Sequence, residues 1–133
     1  MDYRPAEFVR FVLPDEAVED VIDEAKAETW TKEREHALLV VRDANGEEQF
    51  AMVRGGKDGI LLERAEDGSI SVPVENELFL LHRLAWHVHP VPTGPSDHDF
   101  ATLDALAQES SMLFEIGGPR EGTLFSRKSG RKT

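Results

Sequence analysis

The chain has 133 residues, 40% of them hydrophobic and 31% charged, enough for one domain with a core and too few for two. Its net charge of -11 opposes phosphate backbones and argues against a nucleic-acid partner, while its lack of cysteine excludes disulfides, thiolate zinc ligands and thiol nucleophiles, so any metal must be held by His, Asp or Glu. No apolar run reaches the roughly 18 residues that cross a bilayer, and Met1 to Pro5 lack the order of a signal peptide, so the expectation is a cytoplasmic protein with no membrane partner.

In chain order, residues 8–13 alternate enough to form a short strand or extended arm, which Pro14 stops. Asp15 and Glu16 then open a helix, acids being favoured in a first turn. Val18, Val21, Ile22 and Ala25 fall on one face of it, and it runs to Thr29 or Trp30. Residues 36–42 (HALLVVR) read as a strand buried on both sides. Asn45-Gly46 marks a hairpin turn, and residues 48–53 return as the second strand. After a glycine loop at 55–59, which lacks a P-loop signature, residues 60–64 and 69–74 form another hairpin.

Residues 78–89 (LFLLHRLAWHVH) are the longest apolar stretch. They could be read as a helix. Pro90, Pro92, Gly94 and Pro95 forbid continuation, and residues 83–89 read as a central strand. Ser96 caps a helix bearing Phe100, Leu103, Leu106 and Ala107 on one face. Two strands come next, at 111–116 and 123–127, joined by a turn at 117–119. The basic end, 127–133, reads as a solvated, flexible tail from about 128. The order gives a single α+β domain over 1–133, a mixed β-sheet flanked by helices. Trp30 and Trp86 read as core or pocket wall, and His36 and His82 as packing or surface residues. His98 reads as exposed. Oligomeric state is not legible.

Residues two apart on a strand point to the same side, so His87 and His89 present both imidazoles to one spot. Asp99, on the first turn of the next helix, can reach back as a third ligand; Asp97 is the alternative if the loop tightens. Two histidines, one carboxylate and a water make an open catalytic zinc site. Such a site needs a nearby glutamate as base. Glu35, at the start of the buried strand, is the candidate, with Glu33 and Glu28 as alternatives. Ser96 could donate its hydroxyl to a developing oxyanion, although Ser96-x-x-Asp99 is also the pattern of a helix capping box.

The run HVHPVPTGPSDHD at 87–99 resembles the JAMM motif of the JAB/MPN metallopeptidases: His-x-His-Pro, a short loop, then Ser-x-x-Asp. Six residues separate His89 from Ser96, one fewer than the family usually has. The strand after Glu35 also lacks the glycine pattern of eukaryotic members, and the compact size is closer to bacterial JAB-like domains. The resemblance spans about residues 15–127. It implies an MPN-type, cytidine-deaminase-like fold and one Zn2+ per chain on His87, His89 and Asp99. It implies Glu35 as general acid/base, Ser96 as oxyanion support, and a protein or peptide substrate, ubiquitin-like proteins included, cut at a peptide or isopeptide bond. Two other readings are a non-catalytic MPN-like interaction module and a processing domain of a bacterial toxin system.

Overall fold

The computed structural model describes residues 1–127; the tail expected at 128–133 lies outside the described residues. In chain order the elements are β1 (Tyr3–Pro5), β2 (Glu7–Val12), α1 (Val18–Lys32), β3 (His36–Arg42), β4 (Glu48–Arg54), β5 (Gly59–Leu61), β6 (Glu63–Arg64), β7 (Ile70–Val74), β8 (Glu77–His89), α2 (Asp97–Leu106), β9 (Ser110–Glu115) and β10 (Thr123–Ser126). The apolar run HALLVVR forms β3, and all of it but Arg42 is buried. A strand with no polar face must be covered on both sides. It lies inside a sheet of order β10-β9-β8-β3-β4-β2, with β7 pairing the first part of β8 and β6 pairing β7.

The sheet is mixed: β8 and β9 run parallel, with α2 as the crossover between them, while β3 is antiparallel to both β4 and β8. Helix α1 covers one face, where Val21 and Ala25 pack with Leu38, Met52, Trp86, Val88 and Phe114. The other face carries Leu103 of α2 with Ala37, Leu39, Val41, Leu84 and Leu113. The architecture is therefore α+β, with a mixed sheet of eight strands between helices, as expected from the order of elements, and a separate two-stranded sheet of β1 and β5.

Strand β8 departs from simple alternation. Its register against β3 shifts twice, between the pairs Leu38–Trp86 and Leu39–Leu84 and between Val40–Arg83 and Val41–Leu81. Each shift leaves one extra residue on β8, Ala85 and His82, and an extra residue reverses the phase of the strand beyond it. Leu81, Leu84 and His87 consequently face the same side although they are three apart. Residues 77–80 pair with β7 and 86–89 with β9. In the gap between these partners the Gln108 amide bonds Leu84 as a backbone would: its Oε1 accepts the Leu84 N–H (2.9 Å) and its Nε2 donates to the Leu84 carbonyl (2.7 Å).

Several expectations need correction. The hairpin read over 60–74 is split: β5 leaves it to pair in parallel with β1, a strand the pattern did not indicate, and only β6 pairs with β7. Asp15 and Glu16 do not begin α1. The Glu16 N–H donates to the Leu13 carbonyl, and the Glu16 carboxylate binds Arg10 (2.8 Å) and the Leu13 N–H (2.6 Å), so the helix starts later, at Val18, without a side-chain cap. Val18, in that first turn, is 67% exposed instead of buried. Of the two readings of Trp30, pocket wall stands and core does not: it is 69% exposed and lines a hollow with Pro90 and Val91, whereas Trp86 is core.

Candidate metal centre

Four side chains meet where β3, β8 and α2 converge. In β3 the odd-numbered residues Ala37, Leu39 and Val41 face α2, and the alternation carries back to Glu35. Its backbone extends the pairing beyond the strand: the Glu35 N–H donates to Gly56 O (2.9 Å) and the Gly55 N–H to Glu35 O (2.9 Å). A Cβ at Gly56 would collide with the backbone of Asp2, so this close approach requires glycine. The loop read as a turn thus also anchors Glu35. On β8, His87 lies opposite Ala37, which puts it on the same face, and His89 follows at the strand end.

Asp99 is placed by the cap of α2. Ser96 Oγ accepts the Asp99 N–H (3.2 Å) and Asp99 Oδ2 accepts the Ser96 N–H (2.9 Å), a complete capping box. Leu103, one turn on and fully buried, seats that face of α2 on the sheet. The capping reading of Ser96-x-x-Asp99 therefore holds, and the same box sets the Asp99 carboxylate beside the two histidines.

Ligand atoms of Glu35, His87, His89 and Asp99 all lie within 4.8 Å of one another, and all four residues are buried. His87 Nε2 is 3.2 Å from Asp99 Oδ1 and His89 Nε2 is 3.3 Å from Asp99 Oδ2. Glu35 stands farther back, 4.0 Å from His87 Nε2 and 3.7 Å from His89 Nε2. The imidazoles pack edge to face, 4.8 Å between centroids, and His87 also packs against Phe125. Beside them is a small hollow of about 30 Å³, lined by Leu39, Val53, Ile60 and Thr102, with room for occupants of water size.

The charges are strongly perturbed. Burial pushes the Glu35 carboxyl above its usual range, against the pull of the two histidines. Burial would also raise Asp99, but the two imidazoles and the Ser96 N–H outweigh it and hold the carboxyl well below the usual carboxylate range. Burial pulls His89 down, yet Asp99, Glu35 and Glu115 together bring its net shift upward.

These residues suit a cation. His87 Nδ1 is buried without a hydrogen-bond partner, a state that costs on the order of 1–3 kcal/mol, and its Nε2 faces the Asp99 carboxylate. Metal–ligand bonds of about 2.0–2.1 Å in a tetrahedral zinc site put ligand atoms roughly 3.3 Å apart. The spacings from Asp99 to the two Nε2 atoms, 3.2 and 3.3 Å, match that, and the imidazole–carboxylate set is one zinc accepts. The four residues could hold a metal ion.

The structure brings together Glu35, His87, His89 and Asp99, and places half-buried Ser96 in direct bonding to Asp99. The alternatives lie elsewhere. Asp97 is exposed, Glu33 is an exposed left-handed residue ending α1 (φ 53°), and Glu28 lies 3.8 Å from Lys32. His98 is half-buried, not exposed, because its Nε2 donates to Ile60 O (2.8 Å). His36 is buried against α1, and His82 is a surface residue.

Two neighbours of the site were not legible in the pattern. Thr93 Oγ1 lies 3.2 Å from His89 Nδ1. Glu115 Oε2 lies 3.5 Å from the same nitrogen and accepts the Gly94 N–H (2.7 Å). The parallel β8–β9 register, which sets His89 beside Glu115, was the only signal that could have found the latter. Comparison with protein-family models, with curated proteins and with solved structures finds no match.

Proposed function

We propose that this chain is a zinc-dependent hydrolase of the JAMM type that cleaves a peptide or isopeptide bond, on an MPN-type, cytidine-deaminase-like frame. The observation that carries the reading is the buried group Glu35, His87, His89 and Asp99, in which Asp99 closes on both histidines and Glu35 stands farther back. A closed structural zinc site uses four protein ligands at similar distance, whereas a catalytic one keeps a position for water. The larger Glu35 separations favour the open arrangement.

His87, His89 and Asp99 would hold one Zn2+ per chain. Bound there, the ion supplies a water of pKa near 7 and polarisation of the scissile carbonyl. Glu35, desolvated and next to that position, takes the proton of the attacking water and returns it to the leaving amine. A raised carboxyl pKa suits a group that must both accept and donate near neutrality. The Ser96 oxygen accepts the Asp99 N–H, which leaves its own proton free to be donated to the carbonyl oxygen as charge builds there.

The substrate class under this reading is a protein or peptide, ubiquitin-like proteins included, and the proposed setting is the cytoplasm. No helix among the described residues is long and apolar enough to cross a membrane.

The test pairs metal content with turnover. Protein purified without chelator should carry about one zinc per chain and cleave an isopeptide-linked ubiquitin-like substrate or a peptide library. Protein that neither retains nor takes up zinc sinks the proposal. Zinc uptake without turnover on any such substrate would leave a metal-holding interaction module in its place.

A further inference from the structure

We propose that Glu115, together with Thr93, is a positioning residue that fixes the orientation and tautomer of His89 and ties it to the loop leading to Ser96. The inference rests on the metal-site reading above.

His89 offers two ring nitrogens. Nε2 faces Asp99 and Glu35 at 3.3 and 3.7 Å. For that nitrogen to bind a cation it must be bare, so the ring proton must sit on Nδ1. The groups facing Nδ1 favour that placement. Thr93 Oγ1 lies 3.2 Å away, and its hydroxyl points along a long contact (3.4 Å) to the Gly94 carbonyl, which leaves the oxygen to accept from Nδ1. Glu115 Oε2, at 3.5 Å, adds a negative charge beside the same N–H. A carboxylate behind a metal-bound imidazole raises its basicity and holds its plane.

Glu115 also reaches the loop. The oxygen beside Nδ1 accepts the Gly94 N–H at 2.7 Å. Gly94 sits at φ 76°, a left-handed conformation suited to glycine, two residues before the Ser96 cap. The Ile116 N–H donates to the His89 carbonyl (3.0 Å), which locks the two strand ends together. One carboxylate therefore ties the second histidine to the loop that delivers Ser96 and Asp99. His87 has no such support: its Nδ1 is buried without a partner and its ring is held by packing against Phe125.

Glu115→Gln separates charge from scaffold, because the amide oxygen can still accept the Gly94 N–H. Zinc affinity should be measured by competition with a chromogenic chelator, and melting should be recorded on the metal-free proteins. The expected result is a zinc Kd weakened about tenfold to a hundredfold, with unchanged metal-free melting. Thr93→Val should weaken binding in the same direction, and Glu115→Asp should recover part of the loss. In the zinc-loaded parent, long-range 1H–15N correlations should show the His89 proton on Nδ1. Parental zinc affinity in Glu115→Gln would overturn the assignment, as would a metal-free protein that melts lower while zinc binds as in the parent. Failure of the parent itself to bind zinc would instead reject the metal-site reading.

Discussion

Asp99 and Ser96 hold each other by two reciprocal hydrogen bonds, 2.9 Å from the Ser96 N–H to Asp99 Oδ2 and 3.2 Å from the Asp99 N–H to Ser96 Oγ. The residue that closes the histidine pair is thus also the one that closes the first turn of α2. Under the proposed chemistry, stability and catalysis share these two side chains and can be separated by choosing the replacement.

Ser96→Ala should lose about 1 kcal/mol of folding stability through the cap, and under the proposed chemistry a further factor of about 10²–10³ in kcat. Ser96→Asp should restore the cap while leaving kcat low. Denaturant unfolding set beside turnover tests both; an aspartate variant with parental kcat would remove Ser96 from the reaction.

His87→Ala and Asp99→Ala should each abolish stoichiometric zinc, read by elemental analysis after gel filtration. Asp99→Ala should also destabilise the metal-free protein by about 1 kcal/mol, since it breaks the capping box. Zinc retained at one per chain in both variants would place the ion elsewhere.

Glu35→Gln should keep zinc and lower kcat by about 10²–10⁴, the usual contribution of a general acid–base. The replacement is close in shape and removes the ability to carry a proton. Equal turnover in parent and variant would assign the base to another group.

Leu103→Ala tests whether the seat of α2 matters to the site. Leu103 is fully buried, and its truncation should cost about 2–5 kcal/mol. Because α2 carries Asp99, zinc should bind more weakly as well. Calorimetric zinc titration of folded variant protein checks this, and unchanged affinity would show that the cap alone holds Asp99.

His36 provides a test of pH dependence away from the proposed ligands. Burial lowers its pKa below 6.5, against the opposing hydrogen bond to Arg34 O. In acid the unfolded chain takes up a proton that the folded chain resists, so the His36 contribution is present above pH 6.5 and lost as pH falls below it. The stability difference between parent and His36→Gln should therefore be larger at pH 7.5 than at pH 5.5. A difference that grows in acid would contradict the sign.

Much of the frame was legible because its signals are local. HALLVVR gave β3 at the same limits as in the structure, residues 36–42, and Ser96 marked the start of α2. Both could be read from adjacent residues alone. Strand β8 was harder: its two bulges put Leu81, Leu84 and His87 on one face at a spacing of three, which imitates helical periodicity. The start of α1 was lost to Arg10, a residue of β2 that captures the Glu16 carboxylate from outside the helix. The pairing of β1 with β5 joins segments 56 residues apart, from Tyr3 to Gly59, and no periodicity encodes it. The site divides the same way. His87, His89, Ser96 and Asp99 sit within one short run. Glu35 had to be chosen among many glutamates and is singled out by its burial at 4% exposure. Glu115 depends on strand register.

The Gln108 amide that bridges Leu84 has a consequence for how β8 opens. A backbone partner leaves only when its whole strand leaves, but a side chain can depart by rotation about its own bonds. The Leu84 amide should therefore exchange its proton with solvent faster than neighbouring core amides of the strand, and substitution of Gln108 should quicken it further.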